Sequence, residues 1–391
     1  MDIKDIVAAG ADAGAPDARV ASLDGSVVQT VAVNTAGGVR MENGKVSLEF
    51  NADAGYALDD LRFTQGRNLD LLYHKGEATQ SDEQLAGISY FQHDYSWNAR
   101  SASLAILVPG PVVSQVKVEW NQAGNGSGIW GRSIYTLHPD GRLLRDEWVN
   151  VDQPYDDGDS WLVAYTAINA SLMGSAGALV QAPDAGVALF AEVHEQIQTN
   201  GEGGYGCVWD PDSGEAVAWA NRPSSDFAGW RLWSVFPSFL LATDWMRESS
   251  VPTGVWSGDF LTILTDQRCE AAREHVTAFV APPRLVFTKG SESTEDAMDH
   301  DKDGYSEGGG YYTLNADVDR VEVTLPATAA PVPSCTLRIE TNADAIPTVE
   351  LDGTTLALGQ GFLAGRGGSG EYWIHLTTRW EPGTDLKVRW W

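Results

Sequence analysis

The residues best suited to chemistry lie in one short run, Asp299-His-Asp-Lys-Asp-Gly-Tyr-Ser-Glu307. Carboxylates recur at every second position, Asp299, Asp301 and Asp303. Gly304 permits a sharp turn, Tyr305 can offer its main-chain carbonyl, and Glu307 completes an all-oxygen set. A hard cation such as Ca2+ takes several oxygen ligands of this kind from a compact loop. The spacing is not that of an EF-hand, because loop position 12 falls on Gly310 where that motif requires Glu. No helical pattern flanks the run, and Gly308 to Gly310 leads directly into a strand pattern. The expected occupant is a structural Ca2+ ion. A solvated acidic linker is the competing reading.

A second kind of chemistry comes from aromatic rings set among charged groups. The chain carries 15 Trp against 5 Met. Flat rings stack against the C–H faces of sugars, although aromatic side chains also supply much of the buried area of β-sandwiches. The candidate substrate-binding rings have polar neighbours. Trp97 lies in His93-Asp-Tyr-Ser-Trp-Asn-Ala-Arg100, Trp230 and Trp233 flank Arg231, and Trp256 precedes Ser-Gly-Asp259. Rings for sugar faces and charged groups for hydroxyls are what a saccharide groove uses. For catalysis the candidates are His93, Tyr95, Arg100 and His194, with Glu195 beside the last. A lyase needs a His or Tyr base and a cation, and a glycosidase needs two carboxylates across a groove. His138 belongs to a turn and His275 to a helix. Asp146 and Glu147 are adjacent on a strand, so they point to opposite faces and cannot act as a pair. Asp156, Asp157 and Asp159 form a further acidic loop, read as solvated. No nucleophile elbow, phosphate loop, zinc signature or dinucleotide fingerprint is present.

Composition excludes several classes. A chain of 391 residues predicts two or three domains. With 43% hydrophobic and 20% charged residues it is globular in character. The longest apolar runs, 236–243 and 278–282, fall far short of the roughly 20 residues of a membrane span. The formal net charge of −28 makes the surface repulsive to nucleic acid and anionic lipid. Cys207, Cys269 and Cys335 are widely separated and form no zinc pattern. At most one disulfide could form among them, and the expectation is three buried thiols. The N-terminus lacks the basic start and apolar core of a signal peptide. An extracellular or cell-surface protein is nonetheless expected, with another export route or a leader already removed.

The elements that must position these groups are strands. Residues 1–30, rich in Ala, Gly and Asp, read as an N-terminal arm with a short helical turn at Ile3 to Ala9. That arm is either a mobile tail or a segment that docks on another subunit of a homo-oligomer. From about residue 31 to 282 the pattern is β. Val46-Ser-Leu-Glu-Phe50 alternates at period two, and similar runs occupy 69–73, 113–120, 161–168, 187–193, 230–236 and 260–265. The strongest hairpin spans 129–148. Its turn His138-Pro-Asp-Gly141 places Pro where φ is preset and Gly where φ must be positive. One helix is predicted at Gln267 to Val276, capped by Asp266 and stopped before Pro282-Pro283. Residues 283–391 carry their own strands at 311–314, 321–325, 336–340, 348–351, 372–377 and 386–390, the size of a small β-sandwich. The fold class is therefore all-β, a large supersandwich-like domain followed by a smaller β-sandwich domain.

The Tyr-x-Leu-His-Pro-Asp-Gly-Arg-Leu hairpin within a long all-β stretch resembles the supersandwich of galactose-mutarotase-like domains of bacterial polysaccharide-active proteins. The resemblance covers about residues 30–280. The acidic loop resembles the D-x-D-x-D-G calcium loops of extracellular β-proteins. The resemblance implies a protein that binds or processes polysaccharide or oligosaccharide, as a lyase or glycosidase or as a binder. The chain departs from many such lyases in having no helical toroid pattern, which weakens any transfer of activity. A different class of function also fits the arm, two β-domains and the metal loop, namely a self-assembling surface or filament subunit.

Overall fold

The computed structural model describes residues 30–54, 56–66, 68, 70–72, 86–91, 101–121, 129–152, 161–169, 179–182, 186–189, 197–200, 205–210, 212–222, 226, 229–235, 238–245, 253–266, 268–367 and 370–391. The expected N-terminal arm lies outside them.

The fold is all-β, with five sheets and one α-helix among the described residues. The sheets segregate along the chain. Strands between Val31 and Thr265 build a four-, a five- and a nine-stranded sheet, and strands between Val286 and Arg389 build a five- and a six-stranded sheet.

The nine-stranded sheet is the scaffold on which the other parts assemble. At its centre the hairpin strands Ile129–Leu137 and Arg142–Val151 pair antiparallel, flanked by Ser114–Asn121 on one side and Gly254–Thr265 on the other. The joining turn is the predicted one, with Gly141 at φ +94°. A Cβ there would meet the Leu264 carbonyl oxygen at 2.4 Å, so both the backbone angle and the close approach require glycine.

Alternation sorts the two faces of this sheet. Val116, Val118, Tyr135, Leu137, Leu143, Val149, Trp219, Phe260 and Leu264 point to the inner face. There they join Met41, Leu48, Phe50 and Leu61 of the four-stranded sheet in the main core. On the outer face, Leu144, Leu261, Ile263 and the small Ala216, Ala218 and Ala220 receive the helix Arg268–Val280. The helix offers them Cys269, Ala272, Val276 and Phe279, a stripe at the three-to-four spacing of one helical face. It runs four residues beyond the predicted Val276 and ends two residues short of Pro282.

The helix is also where one expectation fails. Cys207 and Cys269 are joined in a disulfide and only Cys335 is a free, buried thiol. The three-thiol reading is thus corrected. Cys207 lies on the strand Tyr205–Trp209, and packing the helix on the outer face brings the two sulfurs together across 62 residues of sequence. Of the expected run 69–73, 70–72 are described, and there Asp70 bridges Arg62. Its carboxylate accepts the amides of Leu61 and Leu72 at 3.3 and 3.0 Å.

In the C-terminal part, the strands Thr336–Glu340 and Thr348–Leu351 coincide with the predicted runs. The core between its two sheets is built from Leu314, Val321, Leu337, Ile339, Ile374, Trp380 and Val388, all nearly inaccessible.

The C-terminal sheets pack on the outer face of the nine-stranded sheet through a core of their own. Val108, Val112, Val113 and Ile134 meet Met298, Tyr311, Leu363 and Trp373 there. Polar contacts surround it. The His138 ring, fully buried, donates from Nε2 to the Gly309 carbonyl at 2.8 Å and accepts at Nδ1 from the Thr336 hydroxyl at 2.9 Å. His375 in turn donates to the same hydroxyl oxygen at 2.9 Å. His138 therefore serves the junction as well as the turn.

Candidate functional site

The acidic loop reaches this junction from the C-terminal side. Asp299 is fully buried and its carboxylate accepts the amides of Asp303 at 3.2 Å and Gly304 at 3.0 Å. Asp303 accepts the amide of Tyr305 at 3.0 Å, and Glu307 accepts that of His300 at 2.9 Å. These bonds curl the loop so that its carboxylates face inward. Lys302 takes a positive φ of +60° and turns its ammonium outward to the Asp296 carbonyl at 2.7 Å. Gly304, at φ +83°, lies where a Cβ would come within 2.7 Å of the Glu292 Cβ. Carboxylate oxygens of Asp299, Asp301, Asp303 and Glu307 all lie within 4.8 Å of one another. Tyr305 packs its ring against Tyr312 in the C-terminal core, so only its main chain serves the loop.

Burial and mutual repulsion are visible in the acids themselves. Burial pushes the Glu307 carboxyl up to about 7 and raises that of Asp303. Two cations stand beside them. Arg222 is 3.5 Å from Glu307, and the largely exposed Arg284 is 3.6 Å from Asp303. The donor set is all oxygen and the carboxylates outnumber the cations, which fits a hard divalent ion.

His300 ties the loop to the sheet. Its Nε2 lies 2.9 Å from an oxygen of Asp146 and 3.2 Å from one of Asp259. Those two aspartates are cross-strand partners on the outer face, both almost fully buried. Like charges opposite each other in a ladder repel, and His300 stands between them. The hydrogen bonds to Asp146 and Asp259 raise the imidazole to about 10, so it carries a positive charge at neutral pH. This triad is the second group among the described residues whose ligand atoms converge as a metal site would require. Glu147, one residue from Asp146, points the other way, to Ser133 at 2.7 Å and Arg145 at 3.1 Å within the inner core.

Farther along the same strands the outer face changes character. Trp130 is 41% exposed and its ring lies 4.8 Å from that of the half-buried Trp148. The Trp130 indole N–H donates to Asp152 at 3.2 Å, and Asn150 and the exposed Val255 are neighbours in register. Arg132 pairs with Trp148 across the strands and reaches to 3.9 Å from Asp146. The result is a shelf of aromatic rings with polar groups at its rim, beside the His300 triad.

Neither the shelf nor the triad was indicated by sequence. Trp130 and Trp148 sit within a hairpin that period-two alternation assigns simply to a strand. Asp146, Asp259 and His300 are brought together from three separated segments. The segments bearing the candidate residues His93, Tyr95, Trp97, Arg100 and His194 lie outside the described residues. Trp230, Arg231 and Trp233 lie on the strand Gly229–Val235, for which the backbone is described. Trp256 is half-buried and packs against the inter-sheet core. Among the described residues, the acidic loop is the candidate set whose side chains converge.

No family model matches the chain, and no curated protein matches it. Similar solved structures include a TPR-domain containing protein from Parabacteroides distasonis, at 15% identity and a TM-score of 0.40. The match covers 59% of this chain and 47% of that one, so the chain spans about half of that protein's length. Galactose 1-epimerase from Lactobacillus acidophilus is similar over 61% of this chain and 99% of its own, at 10% identity and a TM-score of 0.38. A heparan sulfate lyase mutant from Pedobacter heparinus is similar over 83% of this chain and 43% of its own, at 8% identity and a TM-score of 0.36.

Proposed function

We propose that the protein is an extracellular carbohydrate-binding protein whose acidic loop holds a structural calcium ion. The observation that carries the sugar-binding reading is the shelf formed by Trp130 and Trp148 on the outer sheet face. An indole left 41% exposed, braced by a second ring tilted 59° against it and rimmed by Asp152 and Asn150, presents a flat apolar surface beside hydrogen-bonding groups. Pyranose rings have the matching pattern of C–H faces and equatorial hydroxyls.

The calcium reading rests on the four converging carboxylates, and its role follows from position. The loop is attached to the nine-stranded sheet through His300 and to Arg222 through Glu307. An ion that fixed the loop would fix the C-terminal sheets against the shelf-bearing strands. The Cys207–Cys269 disulfide supports an oxidising compartment such as the cell exterior. Among the described residues, no helix is long and apolar enough to cross a membrane.

Affinity electrophoresis through gels containing neutral or uronate polysaccharides tests the proposal. Retardation by at least one glycan, lost in Trp130→Ala, is the expected result. Equal mobility in every gel would overturn it.

A further inference from the structure

We propose that the cleft between the turn His138–Gly141, the helix Arg268–Val280 and the strand Glu371–Leu376 is a second ligand site, one that takes a neutral, hydroxyl-rich molecule of disaccharide size. The class of ligand rests on the carbohydrate reading above, but the residues are different ones. The cleft has a volume of about 740 Å³, within the range of small-ligand pockets.

Its polar groups include hydrogen-bonding capacity that the fold leaves unspent. His375 uses Nδ1 on Thr336, and no hydrogen bond occupies its Nε2 among the described residues. His275 lines the same cleft with its Nδ1 4.0 Å from Asp140, too far for a hydrogen bond. Asp140, by contrast, is committed to Arg142 at 2.7 Å and to the Ser334 hydroxyl. Burial pushes both imidazoles down to about 4, so at neutral pH each is uncharged: His375, donating from Nδ1 to Thr336, offers an acceptor at Nε2, and His275 has one donor and one acceptor nitrogen. That is the hydrogen-bonding character of a hydroxyl partner.

Charge selects against anions. Asp140, Glu215 and Asp266 line the cleft against Lys45, while Glu274 is paired with Arg379 at its edge. Neutral histidines offer no cation to a carboxylate or phosphate. The half-buried Ala271 and Pro333 supply apolar wall for the C–H faces of a sugar.

The test uses the full-length protein labelled with 15N, titrated with cellobiose, with chitobiose and with digalacturonate. The ring signals of His275 and His375 are expected to move with at least one neutral disaccharide and to stay in place with digalacturonate. Lys45→Trp, which narrows the mouth from an exposed position, is expected to weaken that response at least tenfold without lowering the melting temperature. Imidazole signals unmoved by both neutral disaccharides, an equal response to digalacturonate, or an unchanged titration in Lys45→Trp would each overturn the proposal. The Trp130 indole signal separates this site from the shelf. If it alone moves, the cleft proposal fails and the shelf stands. If only the histidines move, the reverse holds.

Discussion

The Nε2 of His300 lies 2.9 Å from the Asp146 carboxylate, so a residue of the acidic loop closes a contact on the centre of a sheet 154 positions earlier in the chain. The same nitrogen reaches Asp259 at 3.2 Å. The repulsion of a buried like-charge pair is thereby offset in part by a cation delivered from the C-terminal side. His300→Ala is expected to destabilise the protein by about 2 kcal/mol. That is below the 3–5 kcal/mol typical of breaking a fully buried pair, because the ring is partly exposed. Asp259→Asn in the His300→Ala background should recover part of the loss, since one of the two opposed charges is then gone. Denaturant unfolding of the four proteins in a double-mutant cycle checks this. Strictly additive effects would contradict it.

Calcium is expected to raise the melting temperature and chelator to lower it. An ion that binds only the folded state contributes about 2.7 kcal/mol at a concentration a hundredfold above its dissociation constant. Asp303→Asn removes one of the four converging carboxylates, whose cationic partner among the described residues is the largely exposed Arg284, and should abolish the calcium response while leaving the fold in place. Differential scanning calorimetry with calcium and with EDTA measures both effects.

The disulfide closes a loop across a sequence separation of 62 residues. Chain entropy assigns it about 4 kcal/mol. Cys207→Ala with Cys269→Ala should lower stability by that order, and reduction of the wild type should do the same. Intact-mass analysis of the unreduced protein should show one disulfide and one alkylatable thiol, Cys335, upon unfolding.

Acid should weaken the junction before it weakens the rest. His375 is almost completely buried, and burial lowers its imidazole from 6.5 to about 4. Between those values the unfolded chain binds a proton that the folded ring refuses. Stability from this source is therefore fully present above pH 6.5 and is lost as pH falls toward 4. The ring accounts for at most about 3 kcal/mol. Urea unfolding at pH 7.5, 5.5 and 4.5 should show the decline, and His375→Gln should flatten it. Asp140 loses its own contribution only below the usual carboxylate range: burial works to raise it, but Arg142 together with His375, His275 and His138 holds it low.

Local features of the sequence translate directly into structure here. The runs 336–340 and 348–351 are legible because alternation at period two already separates the core side from the solvent side of each strand. The turn at Pro139-Asp140-Gly141 is legible because its backbone angles demand those residue types. The acidic loop is legible because its carboxylates are neighbours in sequence. The cysteine pair is not, since it depends on where the helix docks, and three isolated cysteines carry no signal of that. Nor is the triad Asp146, Asp259 and His300, whose members meet only after the C-terminal sheets have settled on the outer face. Trp130 and Trp148 are hidden for a related reason. Strand alternation puts them on one face but does not say whether that face is covered.

The central claim, that the tryptophan shelf binds carbohydrate, is tested most directly by affinity electrophoresis of the wild type and Trp130→Ala in polysaccharide gels. Because Trp130 is 41% exposed, its loss should leave the melting temperature nearly unchanged. The account predicts retardation of the wild type by at least one glycan and a reduction in affinity of tenfold or more in the variant. Unretarded migration in every gel, or equal retardation of both proteins, would contradict it.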